Sequence, residues 1–317
     1  MKISRLGIFV LVLFSVVLGA SCNFYNRVMA RKSLVDGATS FKERNYAEAE
    51  EKFRSAIEYD PELSSFESKT AQLFLARTIH SEFASNRQLR DKASQAIEEY
   101  KKSLDSFVND YQEKKTAAQN NAGDEKAQRE FENSKDTIGS IVRAVASLYE
   151  NLQQEDQWRE WQIKQASNEQ LPEDVRANAY VALAARQYTC ANDISDVEPV
   201  KKTVIKDDEP IFEFTKPENE EDYSKLQTCV KQGTEYIDKA IALNGNSDSA
   251  WSYKTSLLMQ DSRIAQMNEE TEREESLKKK ADEAKAKFQE LAEARRKREE
   301  QEEARRKAEA EAKKKRK

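Results

Sequence analysis

Apolar and polar residues follow one another along most of this chain with the period of an α-helix. Apolar side chains recur every three or four positions, as at Ile141, Val145, Leu148 and Leu152, which places them on one helical face. Another stripe stops at Asn244-Gly245, where the glycine favours the left-handed cap that ends many helices. Only 7 Gly and 5 Pro occur in 317 residues, which favours long helices over a turn-rich β fold. The pattern therefore predicts an all-α protein.

The segment from Arg31 to Pro61 has a more specific order of small and large residues. Small residues let two antiparallel helices approach closely, aromatic residues fill the space between them, and a proline ends the second helix. This order resembles the tetratricopeptide repeat, a helix pair of about 34 residues. The resemblance implies a helix–turn–helix unit with defined packing positions. These positions are Gly37, Tyr46, Ala49, Phe53, Ala56 and Pro61.

A single repeat of this kind cannot bury its own apolar face, so further pairs are expected. Weaker versions of the same order follow, and Trp251 and Leu258 lie in a capping helix. The interpretation that we favour is a solenoid of helix pairs over residues 30–260, with a generic helical bundle as the alternative. The apolar positions of the later pairs include Leu73, Ala76, Ile79, Ala96, Tyr100 and Leu104, then Val145, Leu148, Trp158, Trp161 and Ala166, then Ala179, Leu183, Ile237 and Ala240.

Two segments interrupt the helical pattern. In residues 116–136, the run Asn120-Asn121-Ala122-Gly123-Asp124 predicts a break. The insertion 192–221 is rich in proline and acidic residues, and within it Val200–Ile205 and Ile211–Phe214 favour a short β-hairpin. Long insertions in compact domains are functional or disordered, and the sequence leaves both open.

The N-terminus has the charge and apolar order of an export signal. Lys2 and Arg5 precede an apolar run from Leu6 to Leu18, which is short for a membrane-spanning helix and suits the core of a signal peptide. Small residues follow and lead directly to Cys22. This order resembles the bacterial lipobox, which implies a signal peptide at residues 1–21 and a lipid-modified Cys22.

Lipidation implies a protein held at the periplasmic face of the cell envelope, with the outer membrane favoured by Asn23 after the cysteine. Lipid chains in combination hold a protein stably, whereas a single chain binds a membrane only marginally. The alternatives are an ordinary signal peptide cleaved near Ala20 or Ser21, which yields a secreted or soluble periplasmic protein, and an uncleaved anchor.

Export also changes what the other two cysteines indicate. Cys190 and Cys229 would lie in an oxidising compartment, where a disulfide persists. A bond between them would close a loop of about 40 residues around the insertion and add about 4 kcal/mol on the chain-entropy model. Two buried free thiols that pack as small apolar groups are the alternative.

Charge is distributed unevenly along the chain. The net charge is −5, but residues 292–317 hold 12 Lys or Arg and 7 Glu, so this tail carries +5 and the remainder carries −10. Residues 262–317 form a charged helical tail in which Glu repeatedly stands four positions before Lys or Arg, the order that stabilises a helix. A thin apolar seam includes Ala281, Ala284, Phe288 and Leu291, so we expect a solitary or fraying helix, with a dimeric coiled coil as the alternative. The basic cluster at its end is Lys313, Lys314, Lys315, Arg316 and Lys317.

Sequence signals for catalysis are weak. The chain has one histidine, His80, and its cysteines lack CxxC spacing, so neither a His-cluster nor a Cys-pair metal site is expected. Neither GxxxxGK[ST] nor GxGxxG occurs. Carboxylates are too abundant for any pair to be informative. We therefore expect neither an enzyme, a cofactor nor a bound metal.

Two functions fit these patterns. The first is a membrane-anchored scaffold whose stacked helix pairs hold a protein partner on a concave face, which the resemblance places on the first helix of each pair. Residues on that face would include Thr39, Glu43 and Arg77. The second is a structural tether whose basic tail contacts an anionic surface or polymer. The alternative for the basic residues is that they only favour the helix C-terminus.

Overall fold

The computed structural model describes the backbone of residues 5–206 and 208–315, and the side chains of residues 24–206, 208–308 and 311. Its chain is 80% helical, and the described part comprises ten helices and one two-stranded sheet. This confirms the predicted all-α class, and the packing of successive helices is consistent with a repeat-like arrangement. The predicted signal-peptide side chains (1–21), the lipidation site Cys22 and the basic cluster Lys313 to Lys317 lie outside the described side chains.

The chain divides into two compact units, residues 1–158 and 159–317. In unit 1 each helix packs on the next, from α1 to α5, and α1 also packs on α3. The helices are α1 (Arg5–Lys42), α2 (Tyr46–Glu58), α3 (Phe66–Ser85), α4 (Arg90–Asn120) and α5 (Glu125–Asn151). The predicted break at Asn120 to Asp124 is confirmed as the α4–α5 turn. The border between the units falls within α6 (Glu155–Ser167), inside the third predicted helix pair.

Unit 2 holds the helices α7 to α10 and the hairpin. Here α7 packs on α8 and α9, α8 packs on α9, and α9 packs on α10 and β2. Its elements are α7 (Glu173–Ser195), β1 (Lys201–Lys206), β2 (Glu209–Phe214), α8 (Glu220–Leu243), α9 (Asp248–Met267) and α10 (Thr271–Lys315). No helix within the described part of the chain is long and apolar enough to cross a membrane.

One turn geometry recurs at three connections between helices, which are α1–α2, α5–α6 and α9–α10. Arg44 after α1, Gln153 after α5 and Glu269 after α9 all adopt positive φ angles, of 61°, 59° and 61°. The backbone N–H after each donates to a carbonyl five residues earlier, which is the Schellman motif that ends many helices. These bonds, each of 2.9 Å, join Asn45 to Ser40, Gln154 to Tyr149 and Glu270 to Ala265. These three helices therefore end with the same type of C-terminal cap.

The packing positions of the first predicted repeat lie at the α1–α2 contact. Ala49, Phe53 and Ala56 are fully buried on one face of α2. Gly37 in α1 faces Phe53 so closely that a Cβ atom at Gly37 would lie 2.8 Å from Cε1 of the ring. Tyr46 packs with its ring 5.8 Å from that of Phe41, and Pro61 follows the end of α2. The close helix approach predicted from the small residues is therefore present.

The weaker stripes are also buried, from Leu73 and Ile79 in α3 to Ile237 and Ala240 in α8. One detail of the prediction is wrong. Gly245 does not adopt a positive φ, since the described residues contain no glycine with that conformation. Instead α8 ends at Leu243, and the N–H of the C-cap residue Asn244 donates to the carbonyl of Ala240 at 2.9 Å. The glycine is thus part of a turn rather than a left-handed cap.

The predicted hairpin is present and antiparallel, with Val204 opposite Ile211 and Lys206 opposite Glu209. The insertion begins later than predicted, because α7 continues to Ser195.

The charged tail differs from the expected solitary helix. Its predicted start at Ser262 lies inside α9, and α10 begins at Thr271. The first part of α10 packs back on α9 through the apolar seam, because α9 presents Leu258 and Ala265 to Leu277, Ala281 and Ala284. The predicted apolar seam of the tail therefore packs on α9 of the same chain.

Candidate functional site

The accessible residues of α3 fall mainly on one line. Most of this helix is buried, because α1, α2 and α4 all pack against it. Phe66 is 71% exposed, and the side chains at intervals of three or four residues after it are partly accessible. We call this line the α3 stripe; it consists of Phe66, Thr70, Phe74, Arg77 and Ser81.

The middle of the α3 stripe combines an aromatic surface with a cation. The guanidinium carbon of Arg77 lies 5.4 Å from the centroid of the Phe74 ring, within the range of a cation–π contact. Phe74 stacks on Phe53 at 5.6 Å between centroids and meets Phe41 edge-on at 6.2 Å. Phe53, a packing position of the first predicted repeat, therefore holds the Phe74 ring in place together with Phe41. The Phe74 ring in turn contacts the guanidinium of Arg77.

The first end of the stripe is held by helix capping. Ser65 is the N-cap of α3, and its hydroxyl accepts a hydrogen bond from the N–H of Ser68 at 3.2 Å. The carboxylate of Asp60 accepts from the Ser68 hydroxyl at 2.6 Å and from the Ser65 N–H at 2.7 Å. Loss of such a cap costs about 1 kcal/mol, so this network anchors the start of the stripe.

Three residues were predicted to line a concave face, and they do not all lie on the same helix. Arg77 is a member of the α3 stripe. Thr39 is exposed in the last turn of α1, and exposed Glu43 follows the end of that helix, where its N–H donates to the Thr39 carbonyl at 3.1 Å. The Thr39 hydroxyl donates to the carbonyl of Val35 at 3.1 Å, so it is bonded within its own helix.

A network of ion pairs holds α2, α3 and α4 together beside the stripe. Lys92 of α4 donates to Glu50 of α2 at 2.8 Å and pairs with Glu82 of α3 at 2.7 Å. Burial raises the pKa of Glu50, but hydrogen bonds from Lys92 and Arg54 outweigh it, so the pKa is lowered overall. Burial lowers the pKa of Lys92, but its bonds to the two carboxylates raise it overall. Glu50 and Lys92 are therefore both charged near neutral pH.

His80 lies at the edge of the stripe in a packed position. Its Nδ1 is 3.3 Å from the hydroxyl of Tyr100, and the two rings meet edge-on at 5.9 Å. Burial lowers the pKa of His80, and the charge of Arg87 lowers it further. Burial also raises the pKa of Tyr100 to about 12, although the charge of Arg77 opposes this. This pair packs α3 on α4 in uncharged form. Across the described residues, no group of three or more His, Cys, Asp or Glu is arranged to hold a metal ion.

In unit 2 a disulfide joins Cys190 of α7 to Cys229 of α8, with their Cα atoms 6.1 Å apart. The predicted pairing is therefore present in the structure. Apolar residues around it include Ala191, Val200, Leu226 and Ile264. The bond holds the two helices together at the base of the hairpin, as expected from the positions of the cysteines on either side of the insertion.

Hydrogen bonds to α9 fix the hairpin further. The N–H of Phe214 donates to Oε1 of Gln266 at 2.8 Å, and the guanidinium of Arg263 lies 4.4 Å from the Phe214 ring centroid. Arg263 also donates to the hydroxyl of Ser195 at 3.1 Å, and Ser195 donates to Oε1 of Gln260 at 2.8 Å. This network was not predicted from the sequence. The only available signal was the set of polar residues inside otherwise apolar helical stripes.

The end of α10 has a different environment from its beginning. Arg295 forms an ion pair of 3.1 Å with Asp248 at the start of α9. From Glu293 onward every described side chain is exposed. Pairs four residues apart, such as Glu293 with Lys297 at 2.8 Å and Glu303 with Lys307 at 2.6 Å, support the helix there.

Comparison of the chain with protein-family models and with curated protein sequences finds no match.

Proposed function

We propose that this protein is a non-catalytic, protein-binding scaffold of the bacterial cell envelope, built from tetratricopeptide-like helix pairs and anchored by a lipid on Cys22. The α3 stripe is the observation that carries the proposal. It is a continuous line of accessible side chains on a helix that is otherwise enclosed by its neighbours. Such a line matches the way in which helical repeats hold an extended or helical segment of a partner.

The composition of the stripe indicates the chemistry of that segment. Phe66 and Phe74 offer apolar and aromatic surface, and Arg77 places a cation beside it. Arg and aromatic residues are enriched among the residues that dominate binding energy at protein interfaces. A partner segment with an apolar side chain next to a carboxylate would satisfy both groups.

Two observations support an envelope location. The disulfide between Cys190 and Cys229 is of the kind that persists in oxidising compartments. The lipobox-like sequence that ends in Cys22 provides a route to that compartment and an anchor on its membrane.

Site-specific photo-cross-linking tests the scaffold proposal. The photoreactive amino acid p-benzoyl-phenylalanine replaces Phe66, which is exposed and already aromatic, so the change is mild. The matched control carries it at Glu113, an exposed residue of α4, which is not the stripe helix. We expect a discrete cross-linked protein in intact cells from position 66 and none from position 113.

The same strain with Arg77→Glu should lose at least about 90% of that product, since a loss of 1.4 kcal/mol is tenfold in affinity. Circular dichroism of the purified variant checks that the fold is intact. Absence of any product from position 66, or a product that is insensitive to Arg77→Glu, would contradict binding at the α3 stripe.

A second candidate function is a tether that uses the end of α10. It is favoured by the exposure of every described side chain from Glu293 onward and by the net charge of +5 in residues 292–317. A deletion of residues 292–317 should weaken binding to anionic vesicles at low salt, because clustered basic residues are attracted to anionic surfaces. Unchanged vesicle binding would exclude the tether.

A further inference from the structure

The face of α1 that points away from unit 1 carries apolar and basic residues. Phe24, Val28 and Val35 are 72%, 49% and 56% exposed, although each is large and apolar. Their spacing of four and seven residues places them on one side of the helix, together with exposed Arg31. We call Phe24, Val28, Arg31 and Val35 the α1 outer stripe; exposed Tyr25 and Lys32 flank it.

The opposite side of α1 fixes this orientation. Ala30 is fully buried, and Gly37 packs against Phe53. Arg27, which lies between the two sides of the helix and is 65% exposed, donates to the carboxylate of Glu67 in α3 at 3.3 Å. Because these contacts attach α1 to α2 and α3, the α1 outer stripe faces outward as a consequence of packing.

The charge of this segment differs from that of the rest of the chain. Residues 24–35 contain three basic residues and no acidic residue, whereas the chain without its tail carries a net charge of −10. Apolar and aromatic side chains interspersed with Lys and Arg are typical of helices that lie in the interface of an anionic membrane.

The segment also lies next to the proposed lipid anchor. Removal of residues 1–21 would make Cys22 the first residue of the mature chain, so the remaining part of α1 would start at the anchor. If Cys22 carries the lipid, Phe24 begins only two residues beyond the anchor. At about 1.5 Å per residue, Val35 lies about 16 Å along the helix from Phe24.

We propose that the α1 outer stripe lies flat on the surface of a bilayer with anionic headgroups, so that unit 1 rests on the membrane along α1. This rests on the proposed lipid anchor and adds to it an orientation. Phe24, Val28 and Val35 enter the boundary between headgroups and acyl chains, and Arg31 and Lys32 contact lipid phosphates. The side of α1 that does not face the membrane packs on α2 and α3, and α3 carries the α3 stripe.

Lipid photo-cross-linking of the full chain tests this orientation. The protein is purified from membranes and reconstituted in vesicles of phosphatidylcholine with about one quarter phosphatidylglycerol. Separate variants carry p-benzoyl-phenylalanine in place of Val28, Val35 or Asp36. Asp36 is the matched control, because it is exposed on the same helix next to Val35 but about 100° around the axis.

We expect lipid adducts from positions 28 and 35 and none from position 36. The double change Arg31→Glu and Lys32→Glu should lower the adduct yield from position 28 at least about fivefold in the anionic vesicles and change it little in pure phosphatidylcholine. Both residues are exposed, so circular dichroism should show an unchanged fold.

The mass of the Cys22 peptide is read from the same sample. Lipid-modified Cys22 without adducts from positions 28 and 35 would overturn the flat orientation and leave the anchor standing. Unmodified Cys22 with adducts at both positions would remove the anchor and retain the membrane-facing stripe. Cross-links between two copies of the chain from these positions would show a dimer interface and overturn the proposal.

Discussion

Gly37 of α1 and Phe53 of α2 lie so close that a Cβ atom on the glycine would meet Cε1 of the ring at 2.8 Å. Phe53 is fully buried and stacks on Phe74, so its ring has little room to move. The contact therefore links the pair α1–α2 to Phe74 of the α3 stripe.

Gly37→Ala should destabilise the protein. Alanine improves helix propensity by about 1 kcal/mol, but overpacking against a rigid ring costs about 1–3 kcal/mol. We expect a net loss of up to about 2 kcal/mol in the free energy of unfolding, measured by denaturant titration. The matched control is Gly123→Ala in the α4–α5 turn, where a Cβ would meet nothing within 4 Å. An equal effect of both changes would argue against close packing at Gly37.

Reduction of the disulfide should destabilise unit 2. The bond joins residues 39 positions apart, and the chain-entropy model gives a contribution of about 4 kcal/mol for a loop of this size. The denaturant midpoint should therefore fall when a reductant is added. The double variant Cys190→Ser, Cys229→Ser should be equally unstable with or without reductant. Two free thiols in the unreduced exported protein would exclude the bond.

His80 should make stability depend on pH in the mildly acidic range. Burial and the charge of Arg87 lower its pKa in the folded state. Below the ordinary pKa of about 6.5, the unfolded chain binds a proton more readily than the folded protein, so stability falls as the pH decreases toward the folded pKa. The slope cannot exceed about 1.4 kcal/mol per pH unit for one proton.

No other histidine is present in the sequence, so His80→Gln isolates this effect. Chemical denaturation of untagged protein between about pH 7.5 and 5.5 should show a shallower decline for His80→Gln than for the unmodified chain. Parallel profiles for the two proteins would mean that His80 titrates with the same pKa in both states.

Removal of Lys92 should affect stability most at neutral pH. Lys92→Met leaves Glu50 and Glu82 partly buried without their shared cation, which costs about 2 kcal/mol. The lowered pKa of Glu50 means that the pairing stabilises the fold above about pH 4.5 and is lost as the pH falls through the folded pKa. The difference between variant and parent should therefore shrink in acid.

Lys126→Met is the control for this change, because Lys126 forms an exposed pair with Glu130 at 3.8 Å. Its effect should be below about 0.5 kcal/mol. Thermal or denaturant unfolding at about pH 7 and pH 4 distinguishes the two variants. A penalty for Lys92→Met that is independent of pH would indicate lost packing of its alkyl chain rather than lost ion pairing.

Local patterns in the sequence were sufficient for much of the fold. The 3.6-residue period and the small–large order around Gly37 and Phe53 predicted buried faces that the structure has. The β-rich segments from Val200 and Ile211 predicted the hairpin, because strand preference and cross-strand pairing act over few residues.

Features that depend on distant contacts or on strained backbone were missed. Positive φ angles, which non-glycine residues seldom adopt, occur at Arg44, Gln153 and Glu269. The residue types at these positions therefore did not predict the turns. Gly233 was also missed, although its Cβ position lies 2.6 Å from Leu257. Its place in the buried stripe between Val230 and Ile237 was the available signal, since a mid-helix glycine needs a packing reason.

The candidate site was only partly predictable. Arg77 was expected on an accessible face of the first helix of a pair, and it is partly accessible on α3. The α3 stripe as a line required knowledge of which faces of α3 the neighbouring helices cover, and that is a tertiary property. The docking of α10 on α9 was missed for the same reason, because the partner of Ala281 and Ala284 lies in a different helix.

Export to the envelope is the premise on which the anchor, the disulfide and the membrane-facing α1 all depend, and the mature N-terminus tests it directly. Intact-mass and peptide mass spectrometry of protein extracted from membranes should find a chain that begins at Cys22, with lipid on that residue and a disulfide between Cys190 and Cys229. A chain that retains Met1 and carries free thiols at Cys190 and Cys229 would contradict an exported, lipid-anchored scaffold.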